Sequence, residues 1–379
     1  MVTNIRGAEP QRHFRGRGLI MKSQKLPEWK PAEHNTDVNF AVGLKLPVRA
    51  MGVNFMPSWW HRKHGIEFGE RYIFDPDYRV ETVRYKWAAV HKLYPELNIG
   101  DPDPQPEVIP ADYHNSLGPA AMGCEILYPV DNYPVSKYAS RSDIEKMRVP
   151  DDIESAFPYC EMIRQVKYLN RALNKDKKPF LFKNGILNDA LLLRGEELFL
   201  DLLDENELGR RVMELSLELG RRVLDYDASC GSPAVMPVCN CTAEVAGPEL
   251  YERAQLEYDR LLAEYILQKG SDFMIHHCGA FDRFIKHYQK LPKPAMIQIG
   301  HHSSLRLALD AFPDALVDYC FSTPWLISAS AGDVKNHTEK ILDDARGDWH
   351  RLSVSIGDLD VNTPEGHVMV VYETMMRYA

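Results

Sequence analysis

A (β/α)8 TIM barrel with an N-terminal extension is the fold the sequence predicts, and three observations predict it. The chain has 379 residues, long for an average domain but suited to one α/β barrel plus an arm. Short apolar runs alternate with amphipathic helical patterns along most of its length, the rhythm of repeated strand–helix units. No internal repeat or low-complexity stretch divides it. These observations set the boundaries as an arm over residues 1–45 and a barrel over residues 46–379.

The arm is polar, with RGAEPQRHFRGRG near its start. It reads as a loose segment or an oligomer contact, as in a homodimer. The next stretch, VNFMPSWWHRKHGIEFGERYIFDPDYR, is dense in aromatic residues and precedes a helical pattern from Asp77 to Tyr94. It is expected to form a lid or wall, with Phe55, Trp59 and Trp60 facing a ligand; aromatic side chains serve equally well to cap a core, so both uses stay open. DPDPQP at 101–106 is a proline-punctuated link.

Six apolar runs then follow: PFLFKNG (179–185), AVMPVCNC (234–241), DFMIHHCG (272–279), AMIQIGHH (295–302), ALVDYCF (315–321) and RLSVSIGD (351–358). With strands expected near Glu107–Ile109 and Glu125–Tyr128, the count reaches eight. Between the runs, EELFLDLLDENELGRRVMELSLELGRRVLDYD carries apolar residues at three- and four-residue spacing. GPELYERAQLEYDRLLAEYILQKG has proline just inside its start and glycine at its end, the usual helix punctuation. Further helices fit residues 281–291, 304–312 and 333–346.

Bulk properties narrow the function. Hydrophobic residues make up 45% of the chain and charged residues 26%, with a formal net charge of −9. That balance is globular and opposes binding to a phosphate backbone, so nucleic acid is not expected as a partner. No apolar stretch approaches the length of a membrane span and the N-terminus shows no leader-like apolar region, so no membrane is expected and a cytoplasmic location is. Seven cysteines, an odd number in a large chain, point to reduced thiols rather than a disulfide framework.

In a (β/α)8 barrel the chemistry collects at the C-terminal ends of the strands. Several chemistry-bearing residues stand at such ends. Side chains alternate along a strand, so His276 and Cys278 share a face while His277 points the other way. Cys239 and Cys241 likewise share a face, His301 and His302 do not, and Cys320 closes its own run. Thiolate and imidazole suit zinc, which takes four tetrahedral donors and in catalytic sites keeps one position open. The bland alternative is that the cysteines are small buried hydrophobes and the histidines bond loops. Asp358 and Asp360 are candidates for acid, base or oxygen ligand, or for simple turn residues. Asn184 and Asn240 are candidates for holding a substrate, and Arg62, beside His61 and His64, for an anion grip. Phosphate loops, dinucleotide fingerprints, a nucleophile elbow and HExxH are all missing from the sequence, which removes support from phosphoryl transfer and serine hydrolysis.

The order of RGEELFLDLLDENELGRRVMELSLELG, VCNCTAEVAGPELYERAQLEY, MIHHCG and GDLDVNTPEGHV across residues 50–379 resembles the uroporphyrinogen decarboxylase superfamily, whose barrels also include corrinoid-dependent methyltransferases. HHCG is similar to the H-x-C-G of the zinc-dependent branch, which implies His276 and Cys278 as metal ligands. Relatives in that branch take a further cysteine from a Gly-Cys in the last strand, where this chain reads SIGDLDVNTP. The third ligand is therefore expected elsewhere, with Cys320 first and Cys241, His301, Glu244 or Asp358 as substitutes.

The resemblance implies a methyltransferase moving a methyl group between a small methylated compound and a corrinoid protein, whose cobalamin arrives on that partner. On this reading Asp358, Asn240 and Asn184 are the catalytic candidates. Trp59, Trp60, Arg62, His301 and Cys241 are the substrate-binding ones, and His276, Cys278 and Cys320 the zinc ligands. A decarboxylase of a porphyrinogen or other carboxylate is the alternative, although the arginine-rich segment of true decarboxylases is represented here by Arg62 alone. A binding barrel without catalysis is the third reading.

Overall fold

The computed structural model describes residues 39–43, 50–182, 184–231 and 233–378. The arm expected over 1–45 therefore lies outside the described residues except for 39–43, which form an edge strand.

Nine strands occur among the described residues: β1 (Asn39–Gly43), β2 (Ala50–Phe55), β3 (Ile126–Leu127), β4 (Val135–Ser136), β5 (Val235–Cys239), β6 (Asp272–His277), β7 (Met296–Gly300), β8 (Leu316–Phe321) and β9 (Leu352–Leu359). Seven join one sheet in the order β1-β2-β9-β8-β7-β6-β5. β1 is antiparallel to β2, and every other neighbour pair is parallel. The first parallel strand, β2, thus pairs with the last, β9, as a sheet does when it curls back on itself. The architecture is an α/β fold built on a curled six-stranded parallel sheet.

The strands have apolar residues on the helix-covered face: Phe273, Ile275, Ile297, Ile299, Val317 and Val354 are all at or below 1% exposure. Two-sided burial is what a parallel sheet under helices requires. On the opposite face the same strands carry Met274, His276, Met296, Gln298, Asp318, Cys320, Ser353 and Ser355, which line a central cavity. Helices at residues 76–93, 159–173, 207–230, 256–268, 331–344 and 366–377 are the longest of the surrounding layer. The long predicted helix from residue 196 is broken into Glu197–Leu203 and Glu207–Cys230, where Asn206 caps the second segment by accepting from the Gly209 amide. No helix among the described residues is long and apolar enough to cross a membrane.

Three expected strands need correction. Residues 107–109 and the described residues of 179–185 join no ladder, and the run near 125–128 contributes only β3, which pairs with β4 in a separate two-stranded sheet. Side chains explain the first two. Arg79, fully buried, donates to the carbonyl of Ile109 at 3.1 Å. Asp227, also fully buried, accepts from the amides of Leu181 and Phe182 at 2.8 and 2.9 Å. In each segment a buried side chain thus meets backbone groups that a strand neighbour would otherwise pair, the accounting a buried backbone requires. Conversely, Ala50–Phe55, which overlaps the expected lid, is a sheet strand. Hydrophobic burial decides that outcome: Met51 and Phe55 are at 0% exposure and Val53 at 2%.

Candidate metal and substrate site

Glycines allow the strand ends to converge. A Cβ on Gly300 would stand 2.0 Å from the carbonyl oxygen of Cys278, and one on Gly185 would stand 1.9 Å from that of Cys239. No side chain tolerates such approaches, so the segment at Gly185 meets the end of β5, and the end of β7 meets the loop after β6, only because these positions are glycine. A further tie comes from Glu244, three residues past Cys241. It accepts from the Ala280 amide at 3.0 Å and from Arg283 at 2.6 Å, fastening the loop after β5 to the loop after β6.

The result is a group of three donors. Cys241, His276 and Cys278 each offer a ligand atom, and all of these lie within 4.8 Å of one another. The two sulfurs are 3.2 Å apart, with Cys278 donating to Cys241. Sharing that hydrogen with Cys241, together with burial, pushes the Cys278 thiol above its ordinary range, against an opposing pull from His276. Burial works against a charge on His276, but Cys278, Gln298 and Asp318 outweigh it and hold the imidazole above its usual value. Nδ1 of His276 bonds to Oε1 of Gln298.

The group opens on a cavity of about 860 Å³. Its wall includes Asn54 and Gly52 from β2, Asp112, His114 and Asn115, the amides Asn184 and Asn188, Cys239, and Asp358 with Gly357 at the end of β9. Three carboxylates, Asp112, Asp318 and Asp358, face this space, and among the described residues lining it there is no lysine or arginine. Asp358 holds a left-handed backbone, φ 55°, which is uncommon for a residue with a Cβ. Asn54 donates to its Oδ1 at 3.0 Å, and Thr323 donates to the carbonyls of Gly357 and Asp358 at 2.7 and 3.1 Å. Asp360, by contrast, is a turn residue that accepts from the Asn362 amide at 2.9 Å.

The other candidates distribute as follows. Cys320 lines the same cavity but stands outside the group of three, its thiol raised chiefly by burial. Asn184 lines the cavity and donates to Asp189 at 2.7 Å. Asn240 does not line it: at 0% exposure it donates to buried Asp259 at 2.7 Å and accepts from Gln255, an interior network rather than a substrate contact. His301 is likewise off the cavity, stacked on His337 at 4.3 Å and tilted against Trp325 at 4.4 Å; burial lowers its pKa to about 4. Glu244 is the clasp between two loops and a partner of His277, not a member of the donor group.

The expected aromatic wall is core. Trp59 is 2% exposed and Trp60 0%, packed on Phe55 with ring centroids 4.6 and 5.5 Å away. Their helix, Pro57–His64, follows β2 directly and turns its aromatic side inward while Arg62 faces solvent, away from the cavity. Residues the sequence reading missed are Gln298, Asp318, Ser353, Ser355 and Asn188. A signal was present: Gln298, Asp318, Ser353 and Ser355 are polar residues set inside otherwise apolar strands that helices cover, where a polar group needs a partner or a task.

The chain belongs to the uroporphyrinogen decarboxylase (URO-D) family, whose profile matches residues 109–378. Among solved structures, it is similar to a methyltransferase from Methanosarcina mazei, with a TM-score of 0.60 and 14% sequence identity over 86% of this chain and 91% of that one. At that identity the likeness concerns the fold. No curated protein matches.

Proposed function

We propose that this protein is a methyltransferase that moves a methyl group between a small methylated compound, of methyl ether or methylamine type, and a corrinoid protein, with zinc held by Cys241, His276 and Cys278. The observation that carries the reading is the thiol–imidazole–thiol group set in the wall of a cavity large enough for a small substrate. The fold likeness to a methyltransferase and the family membership support it.

The donor set fits zinc by its chemistry. Zn–S near 2.3 Å and Zn–N near 2.0 Å place tetrahedral donors about 3.3–3.8 Å apart, so sulfurs 3.2 Å apart need only a small outward shift. Two thiols this close resist joint ionisation unless a cation lies between them. The zinc-ligand set thus draws on Cys241 from the loop after β5 in place of Cys320. When bound, zinc supplies a Lewis acid that polarises a donor heteroatom or keeps an acceptor thiol as thiolate. The chain's own residues do the rest: Asn184 and Asn188 offer amides to the substrate, Asn54 aims the Asp358 carboxylate into the cavity, and Gln298 holds His276 by Nδ1. Cobalamin is expected to arrive on its carrier protein at the mouth formed by the strand-end loops.

A decarboxylase acting on a porphyrinogen is less well served. Three carboxylates on the described wall, with no lysine or arginine among its described residues, repel a polycarboxylate rather than grip it. Methyl transfer to reduced cobalamin, assayed over ethers and methylamines with zinc supplied, tests the proposal. Methylcobalamin from at least one donor is expected, together with one zinc per chain that Cys241→Ser and Cys278→Ser each remove. Decarboxylation without metal, and no methyl transfer from any donor, would overturn it.

A further inference from the structure

The two adjacent histidines of β6 are held in opposite ways. His277, at 0% exposure, faces Glu244 with Nε2 at 3.3 Å and Tyr288 with Nδ1 at 2.8 Å. A carboxylate can only accept, so Nε2 carries the hydrogen and Nδ1 receives the tyrosine hydroxyl. His276 is governed by a different partner. Its Nδ1 meets Gln298, whose amide is both donor and acceptor and therefore transmits an orientation instead of setting one.

The orientation is set one strand further on. His276, Gln298, Asp318 and Ser353 occupy successive registered positions: His276 opposite Gln298, Gln298 opposite Asp318, Asp318 opposite Ser353. Their side chains form a single row across β6, β7, β8 and β9. Asp318, 3% exposed, accepts from Ser353 at 2.7 Å through Oδ1 and from Ser355 at 2.7 Å through Oδ2. Oδ2 also accepts from Gln298 Nε2 at 2.5 Å. An acceptor at that end obliges Gln298 to turn its NH2 toward Asp318 and its carbonyl toward His276. The carbonyl in turn obliges Nδ1 to carry the imidazole hydrogen, which leaves Nε2 with its lone pair.

We infer that Asp318 and Gln298 are positioning residues that fix His276 in the Nδ1–H form, presenting Nε2 as the metal-ligating nitrogen beside Cys241 and Cys278. The inference rests on the proposed zinc site and names the residues that make its imidazole a ligand. Outer partners of this kind orient a ligating histidine and raise its basicity. They act on the metal through His276.

The sign of the test is unusual because a near-isosteric change should invert the row. An asparagine at 318 can set its amide nitrogen at either oxygen position, and next to Ser353, whose hydroxyl can turn to accept, it keeps a carbonyl toward Gln298. With Ser353→Ala added, Asp318→Asn finds acceptors for Nδ2 only at the Oδ2 position, where it donates to Gln298 and Ser355. The Gln298 amide then turns over, its NH2 donates to Nδ1, and the imidazole hydrogen moves to Nε2, where it blocks the ligating lone pair. Ser355, whose hydroxyl can rotate, accepts instead of donating, and only the carbonyl of the new asparagine loses a partner.

Long-range proton–nitrogen correlation spectra of protein labelled with ¹⁵N-histidine read this directly in the metal-free chain at alkaline pH, where the imidazole is neutral, His276 being assigned by its loss in His276→Gln. Nδ1 is expected protonated in the wild type and Nε2 in the Asp318→Asn/Ser353→Ala double variant. Zinc affinity, measured by competition with a chromophoric chelator, should fall about 10–100-fold in the double variant. Gln298→Met, which fills the space with no polar end, should lose the preference and weaken zinc to a similar degree, while Ser353→Ala should keep the Nδ1–H form. A wild-type His276 protonated on Nε2, or an Asp318→Asn/Ser353→Ala protein with unchanged tautomer and affinity, overturns the inference. Should the wild type take up no zinc, the metal in the proposed function falls, and the tautomer comparison still decides the row.

Discussion

The two sides of the central cavity are built on different principles. From β5 round to β9 the wall is a continuous parallel ladder in which each residue has a registered neighbour. Between β2 and β5 the residues at 108–111 and at 181, 182 and 184 join no ladder, and Arg79 meets the carbonyl of Ile109 while Asp227 meets the amides of Leu181 and Phe182. The ladder side carries His276, the Gln298–Asp318 row and, just past the strand ends, both thiols. The other side carries amides and carboxylates: Asn184, Asn188, Asp112. Ligation needs donors fixed within tenths of an ångström, which registered strands supply, whereas substrate contacts tolerate a looser frame.

If side chains do the work of strands on the second side, removing one should cost more than an ordinary polar deletion. Asp227→Ala leaves two buried amides without an acceptor, and at about 1–3 kcal/mol each, less the relief of a buried carboxylate, a loss of roughly 3 kcal/mol is expected from urea unfolding. The same substitution should leave the His276 tautomer unchanged.

The second effect is a pH dependence. Burial pushes the Asp189 carboxyl up to about 7, against the pull of Asn184. A folded pKa above the unfolded one means that the folded chain holds the proton more tightly, so this stability is full below pH 4 and is lost as pH rises through 7. Asp189→Asn removes the loss while still accepting from Asn184. It should raise the unfolding free energy at pH 8 by on the order of 2 kcal/mol relative to wild type, with the two converging below pH 4; equal pH profiles would refute it.

Smaller effects sharpen the contrast within the ladder side and outside the cavity. Cys320→Ser, two strands from His276, should keep one zinc per chain, whereas Cys241→Ser loses it; metal analysis of the two proteins separates them. Arg62→Ala, on the exposed face of its helix, should change stability by less than about 0.5 kcal/mol and leave turnover of any donor unaltered.

Much of this was legible in the residues. Five of the apolar runs, beginning at 234, 272, 295, 315 and 351, are the five ladder strands β5–β9, because buried parallel strands must be apolar over a short span and flanked by turn residues. The alternation rule placed His276 and Cys278 on one face. It also set Cys241 beside Cys239, but ranked Cys241, which lies two residues beyond its strand, only as a substitute ligand behind Cys320, and it did not identify the wall function of Gln298 and Asp318. Trp59 and Trp60 misled for an instructive reason: an aromatic pair before a helix looks the same whether it lines a ligand or seals a core, and only the packing against Phe55 separates the two.

The sequence by itself determined the alternation of strand and helix, the pairing of an imidazole with a thiol two residues on, and the family to which both belong. Tertiary structure alone decided which second cysteine meets them and which way each histidine is turned. Periodicity is a local property that the chain carries in its residue order. The meeting of Cys241 with Cys278, and of Asp318 with Gln298, depends on strand register and on glycines that let backbones pass, quantities set by contacts between residues far apart in the chain.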